Sequence, residues 1–209
     1  MKDYKIAVIG DIHSNHVAFE RCVSHALEKS VDEFLFLGDY ISDCPCPQKT
    51  MKIIYEMDRK YNCRFIRGNR EDYMLNHRNH PEERWTYSSA SGNLLYTYEN
   101  LTTKDLDFYE KMDIQGIYQR EGYPVFRYCH GSLTRSNELL TSENENLQKI
   151  IADLDVDLLI SGHTHTQEVI KFKGKKLIHP GSVGIPWYHE GKTQYMICLL
   201  YTSPSPRDR

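Results

Sequence analysis

The chain has 209 residues, 40% hydrophobic and 26% charged, proportions that suit a globular domain with one sizeable core and exclude a disordered chain. Its formal net charge of −3 leaves no basic surplus of the kind that marks a nucleic-acid or anionic-membrane binder, so any phosphate recognition must be local. No apolar run approaches the roughly 18–20 residues of a membrane span, and the N-terminal run is too short for a signal-peptide core; a cytoplasmic protein is expected.

The first apolar run, "KIAVIG" before Asp11, has strand length, and its near-continuous apolarity suits a strand covered on both faces. A helix is expected over 16–29, with Val17, Phe19, Cys22, Val23, Ala26 and Leu27 on one broad stripe and Ser14 or Asn15 as N-cap. "EFLFLG" before Asp39 reads as the second strand. After the turn "CPCPQ", residues 49–61 repeat the helical spacing through Met51, Ile54, Tyr55 and Met57, and "CRFIRG" before Asn69 gives a third strand. Residues 71–122 break the alternation. "EDYMLNHR", a polar loop, and "TTKDLDFYEKM" with Thr102 and Asp105 at capping-box spacing predict a mostly helical insertion.

Beyond it, "VFRYC" before His130 and "DLLISG" before His163 resume the strands, with a helix expected over 146–154 between them. Strands alternating with helices make an α/β domain. One domain is expected over 1–197, with 71–122 inserted in it. "CLLYTSPSPRDR" resembles translated sequencing adapter, so 198–209 is expected to be a non-native tail, in which case the native C-terminus is missing. The six cysteines (Cys22, Cys44, Cys46, Cys63, Cys129, Cys198) include no CxxC pair and no framework spacing, which leaves reduced thiols as the default; "CPC" reads as a loop, with a soft-metal or redox pair as the alternative.

In an open α/β sheet, ligands collect beyond the carboxyl ends of the strands. The residues placed there are Asp11 and His13, Asp39, Asn69, His130, and His163 with His165. Each alone is ordinary turn chemistry. Together, in order and each after a strand-like run, they are seven groups of the types that bind divalent metals. Imidazole with carboxylate and amide oxygen suits Mn, Fe, Zn, Co or Ni better than Mg or Ca. Seven ligands exceed one tetrahedral site and suit two ions, about 3.5–4 Å apart, sharing a carboxylate. In the "SGHTH" run, side chains at i and i+2 of an extended segment point to one side, about 6.5–7 Å apart, far enough for each imidazole to grip a different ion or partner.

The series "GDIHSN", "GDY", "GNRE", "CHG", "SGHTH" and "HPGSVG" resembles the calcineurin-like metallophosphoesterase superfamily, in particular its small bacterial phosphodiesterase-like branch, from about Lys5 to Gly184. The resemblance implies a metallophosphoesterase β-sandwich flanked by helices in α/β/β/α layers, and a binuclear site with Mn as the first choice of metal. By motif position one metal would take Asp11, His13 and His165, the other Asn69, His130 and His163, and Asp39 would bridge. A metal-bound hydroxide would then attack the phosphorus of a small phosphorylated substrate.

Three departures from the family pattern matter. Where many members carry a histidine after Gly-Asn as a proton donor, this chain has Arg70, which cannot donate a proton at neutral pH but can hold phosphate oxygens. That favours a phosphodiester over a phosphomonoester or nucleotide monoester, and makes His16 a candidate donor. The Asp-Arg-Gly of protein phosphatases is replaced by "GDYISDCPCP", which disfavours that activity. His179 stands where many relatives have Asn; it could orient a ligand or merely end a strand. Tyr40, with Tyr73, Trp85, Tyr87, Tyr96 and Tyr98 of the insertion, could form a wall for a base or aryl group. The competing readings are a non-catalytic scaffold, against which the complete ligand set argues, and a polynucleotide nuclease, against which the charge balance argues.

Overall fold

The structure is a computed structural model describing residues 3–82, 84–187 and 189–201. Two sheets form its centre. The first runs β3 (Cys63–Phe65), β2 (Glu33–Phe36), β1 (Tyr4–Ile9), β9 (Met196–Leu200); β1, β2 and β3 are parallel and β9 is antiparallel to β1. The second runs β4 (Gln115–Tyr118), β5 (Phe126–Cys129), β6 (Leu158–Ser161), β8 (Lys175–Pro180), β7 (Gln167–Phe172), with β5, β6 and β8 parallel and both edges antiparallel.

Alternation along the strands separates three cores. In β1, Ile6 and Val8 point to the space between the sheets, where they meet Leu35, Leu37, Phe126, Tyr128 and Ile160. Ala7 and Ile9 point the other way, with Phe34 and Phe36, against α1 (His16–Glu28) and α2 (Pro47–Lys60). On the outer face of the second sheet, Cys129, Leu159 and Leu177 pack on Leu147 and Ile151 of α6 (Leu147–Ala152). Each fully buried Ile or Leu contributes roughly 1.5–3 kcal/mol, so this patterning fixes which face of each strand carries solvent-free side chains. The result is the expected α/β/β/α sandwich.

The five expected strands are all present. In α1 the buried residues are Phe19, Cys22, Val23 and Ala26, the i, i+3, i+4, i+7 stripe; Val17 and Leu27, expected on it, are 65% and 37% exposed because they fall outside that register. Asn15 is the N-cap, its side chain accepting from Ala18 N at 3.2 Å. Residues 71–122 hold most of α3 (Asn69–Asn79), then α4 (Gly92–Glu99) and α5 (Thr103–Glu110), with Thr102 capping α5 through Asp105 as expected. They also hold β4, an edge strand of the second sheet that "QGIY" does not announce by apolar pattern. The boundary expected at residue 198 falls inside β9, and 202–209 lie outside the described residues. The described cysteines are all free thiols.

Candidate metal centre

Parallel strands bring their carboxyl ends to one edge, and the loops leaving β1 and β2 lock together there. Asp11 N donates to Gly38 O, Ile12 N and His13 N to Asp39 O, and Ser14 N to Tyr40 O, at 2.8–3.1 Å. Gly38 and Gly68 keep these loops close: a Cβ on Gly38 would lie 2.3 Å from Gly68 N. Asp11, His13, Asp39, His163 and His165 all have positive φ, between 48° and 66°. Left-handed backbone costs non-glycine residues about 1–2 kcal/mol each, and such strain concentrates at functional sites.

Five of the seven expected ligands are strictly buried: Asp11, His13, Asp39, Asn69 and His130. Ligand atoms of Asp11, His13 and His165 lie within 4.8 Å of one another, as do those of Asp39, His130 and His163. Asp39 Oδ2 stands between the groups, 3.7 Å from His13 Nε2 and 3.4 Å from His130 Nε2. Asn69 Oδ1 is 3.0 Å from His130 Nε2.

Proton placement shows what such a cluster needs. His130 Nδ1 faces Leu37 O at 2.7 Å and His165 Nδ1 faces Ile185 O at 2.8 Å; a carbonyl only accepts, so both rings are protonated at Nδ1. His13 Nδ1 lies 2.9 Å from Asp43 Oδ2, off the ring's N–H axis, an ion-pair distance rather than a straight hydrogen bond. Three imidazoles therefore turn their Nε2 atoms toward one another and toward the buried carboxylates. His13 Nε2 is 3.0 Å from His165 Nε2, and Asp11 Oδ1, buried without a hydrogen-bond donor, is 3.3 Å from His165 Nε2. Buried carboxylate, amide and imidazole groups converging at these distances are the donor set that holds divalent cations.

A calcineurin-like phosphoesterase profile matches residues 4–167. The chain belongs to that family. Membership makes it a hydrolase acting on phosphoric esters, of a family that binds divalent metals. The sandwich is similar to a hypothetical protein of Pyrococcus horikoshii (TM-score 0.76, 15% identity, covering 96% of this chain and 89% of that one). It is also similar to a metallophosphoesterase of Sphaerobacter thermophilus (TM-score 0.71, 19% identity, 95% and 87%). A third likeness is to vacuolar protein sorting 29 of Cryptosporidium parvum (TM-score 0.53, 14% identity, 99% and 94%).

The clustered carboxyl and imidazole groups of this phosphoesterase perturb one another. Burial pushes the Asp11 and Asp39 carboxyls up, but the facing imidazoles more than reverse this and hold both below the usual carboxylate range. Burial pushes His130 down, and the Asp39 carboxylate overrides it, raising the imidazole to about 10. Burial, reinforced by the charge on His130, lowers His163 to about 4.

Arg70 reaches the site edge: its backbone N donates to Asp39 Oδ1 at 2.8 Å and its Nη2 lies 3.1 Å from Asp43 Oδ2. One sequence expectation is corrected. Tyr40 is fully buried, its hydroxyl donating to Ile66 O at 2.5 Å and its ring packed beside Phe36 and Phe65, so it belongs to the core and forms no substrate wall. His16 opens α1 and lines a groove of about 660 Å³ with Glu20 and Lys52; among the described residues it makes no hydrogen bond or ion pair with the seven ligand groups. Trp85 of the insertion stacks on His77 and meets Tyr98 edge-on. His179, in β8, is buried between Ser161 O at 2.8 Å and Leu140 O at 3.0 Å.

Three residues gain roles that the motifs did not reveal. Asp43 faces His13 and Arg70. Glu71 is fully buried, its carboxylate accepting from Asp39 N, Tyr40 N and Gly68 N, each at 2.8 Å, so it ties the β2 and β3 loops together. Trp187 is 59% exposed, with its ring 6.0 Å from that of His165 and its N donating to His165 O at 3.1 Å. A carboxylate four residues past Gly-Asp, an acid after Gly-Asn-Arg, and a Trp after the glycine turn were the available signals.

Proposed function

We propose that this phosphoesterase hydrolyses a phosphodiester at a two-ion centre, with Asp11, His13 and His165 holding one cation, Asn69, His130 and His163 the other, and Asp39 shared. The convergence of imidazole Nε2 atoms on the buried Asp11 and Asp39 carboxylates carries the reading. Mn is the first choice, since the mixed imidazole and oxygen set suits it. Bound divalent cations would supply Lewis acidity toward a water and toward phosphoryl oxygens.

The chain's own groups do the rest. Arg70, a permanent cation beside the site, binds two phosphoryl oxygens through its fork and offsets charge gathered in the transition state. It donates no proton, so the site favours esters whose leaving oxygen departs with little protonation, hence diesters of good leaving groups over alkyl monoesters. Trp187, exposed at the rim, offers a flat face to an aryl or nucleoside group. The seven-residue ligand set weighs against a non-catalytic module, a reading that the likeness to vacuolar protein sorting 29 keeps in view.

Elemental analysis of the purified protein, followed by assays with bis(p-nitrophenyl) phosphate and p-nitrophenyl phosphate with Mn added, tests this. Mn-dependent turnover of the diester above the monoester is expected. Bound metal with turnover of neither would favour the non-catalytic module.

A further inference from the structure

Asp43 is the point where three parts of the molecule meet. Its Oδ2 lies 2.9 Å from His13 Nδ1 and 3.1 Å from Arg70 Nη2, and accepts from Ser42 Oγ at 3.0 Å; its Oδ1 accepts from Asn93 Nδ2, in α4 of the insertion, at 2.8 Å. The turn that presents it is strained, with φ of 80° at Ser42 and 65° at Asp43, and is pinned where Cys44 N donates to His13 O at 3.1 Å. A second tie from the insertion, Tyr96 Oη to Pro45 O at 3.0 Å, holds the same loop.

A carboxylate held 2.9 Å from a ring's Nδ1 restricts how that ring can turn and so where its Nε2 points, and such outer carboxylates govern how well an imidazole ligates. We propose that Asp43 is the positioning residue for His13, and that through Asn93 it couples the helical insertion to the Asp11–His13–His165 group. This rests on the two-ion reading above and deepens it: the insertion sets ligand geometry, and one carboxylate serves both a ligand and the phosphate-binding arginine.

The test uses the full chain, with Asp43→Asn and Asn93→Ala compared with wild type. Two readouts are taken: Mn affinity by titration calorimetry, and the His13 ring in nitrogen-15 NMR of protein stripped of metal. With Asp43 Oδ2 2.9 Å away, a proton on His13 Nδ1 is the expected wild-type result. Asp43→Asn is expected to lower Mn affinity about 10–100-fold and to redistribute that proton between the ring nitrogens. Asn93 is exposed, so Asn93→Ala keeps the fold while shifting both readouts the same way by a smaller factor. A wild type that binds no Mn would overturn the two-ion reading, and the NMR readout would still judge Asp43. Wild-type His13 signals and Mn affinity in a folded Asp43→Asn variant would overturn the Asp43 proposal alone.

Discussion

His13 Nε2 lies 3.0 Å from His165 Nε2, while the Nδ1 atoms of the two rings face Asp43 Oδ2 at 2.9 Å and Ile185 O at 2.8 Å. Two ring nitrogens at that distance are held together by a shared proton or by a cation beside them, and a divalent ion can take the proton's place. Mn is therefore expected to stabilise the fold, by about 2.7 kcal/mol when free ion exceeds Kd a hundredfold. His165→Ala should lose most of that gain and lower diester turnover by more than the roughly 10–100-fold that outer partners cost. Thermal melts in Mn and in EDTA check this; an undiminished Mn shift in His165→Ala would contradict it.

The metal-free protein should lose stability on both sides of neutrality. His130, raised from 6.5 to about 10 by Asp39, contributes stability that is complete below about pH 6.5 and disappears as pH rises through 10. Asp39, held below its ordinary value, contributes above its unfolded pKa near 3.8 and is lost as pH falls through its lower folded pKa. His163, lowered to about 4, must charge on acidification and weakens the fold between about pH 6.5 and 4. Urea midpoints in EDTA should fall along the alkaline limb in wild type and flatten there in His130→Gln. Cation binding displaces the His130 proton, so calorimetric Mn enthalpies should vary with buffer.

Glu71 accepts three backbone N–H groups; burial and the Asp39 carboxylate raise it to about 7, against the opposing pull of those N–H groups and of His130. In Glu71→Gln an amide oxygen replaces one acceptor and an NH₂ faces a donor, leaving at least one buried N–H unpaired at about 1–3 kcal/mol. The urea midpoint should drop accordingly with an unchanged m-value, and Mn affinity should weaken because Asp39 loses its anchor. A drop in midpoint with full Mn affinity would confine Glu71 to a purely structural role.

The candidate ligands were legible because they cluster just past strand ends, and strand ends share one edge of a parallel sheet: Asp11 after "KIAVIG" and His163 after "DLLISG" need only the β period to be placed. Strands β7 and β8 were not, since "QEVIKF" is largely exposed and forms a hairpin through Lys173 and Gly174, both at positive φ, rather than a buried run. Tyr40 was misplaced for a backbone reason: the left-handed Asp39 turns the next side chain inward. Asp43 and Glu71 were invisible because their partners, His13 and Gly68 among them, are reached only by loop closure between strands, which spacing along one chain does not encode.

Trp187 supplies the last prediction, on specificity. Its backbone is tied to His165 O while its indole remains 59% exposed, so the ring is held beside the ligands without being needed by the core. Stacking of a base on an aromatic ring is worth about 1–3 kcal/mol. Trp187→Ala should therefore raise KM for a nucleoside 2′,3′-cyclic phosphate by about tenfold or more while leaving kcat, and KM for a glycerol phosphodiester, close to wild type. An equal rise for both substrates would mean that the indole shapes the ligand loop rather than the leaving group's berth, and the split between KM and kcat in steady-state assays separates the two.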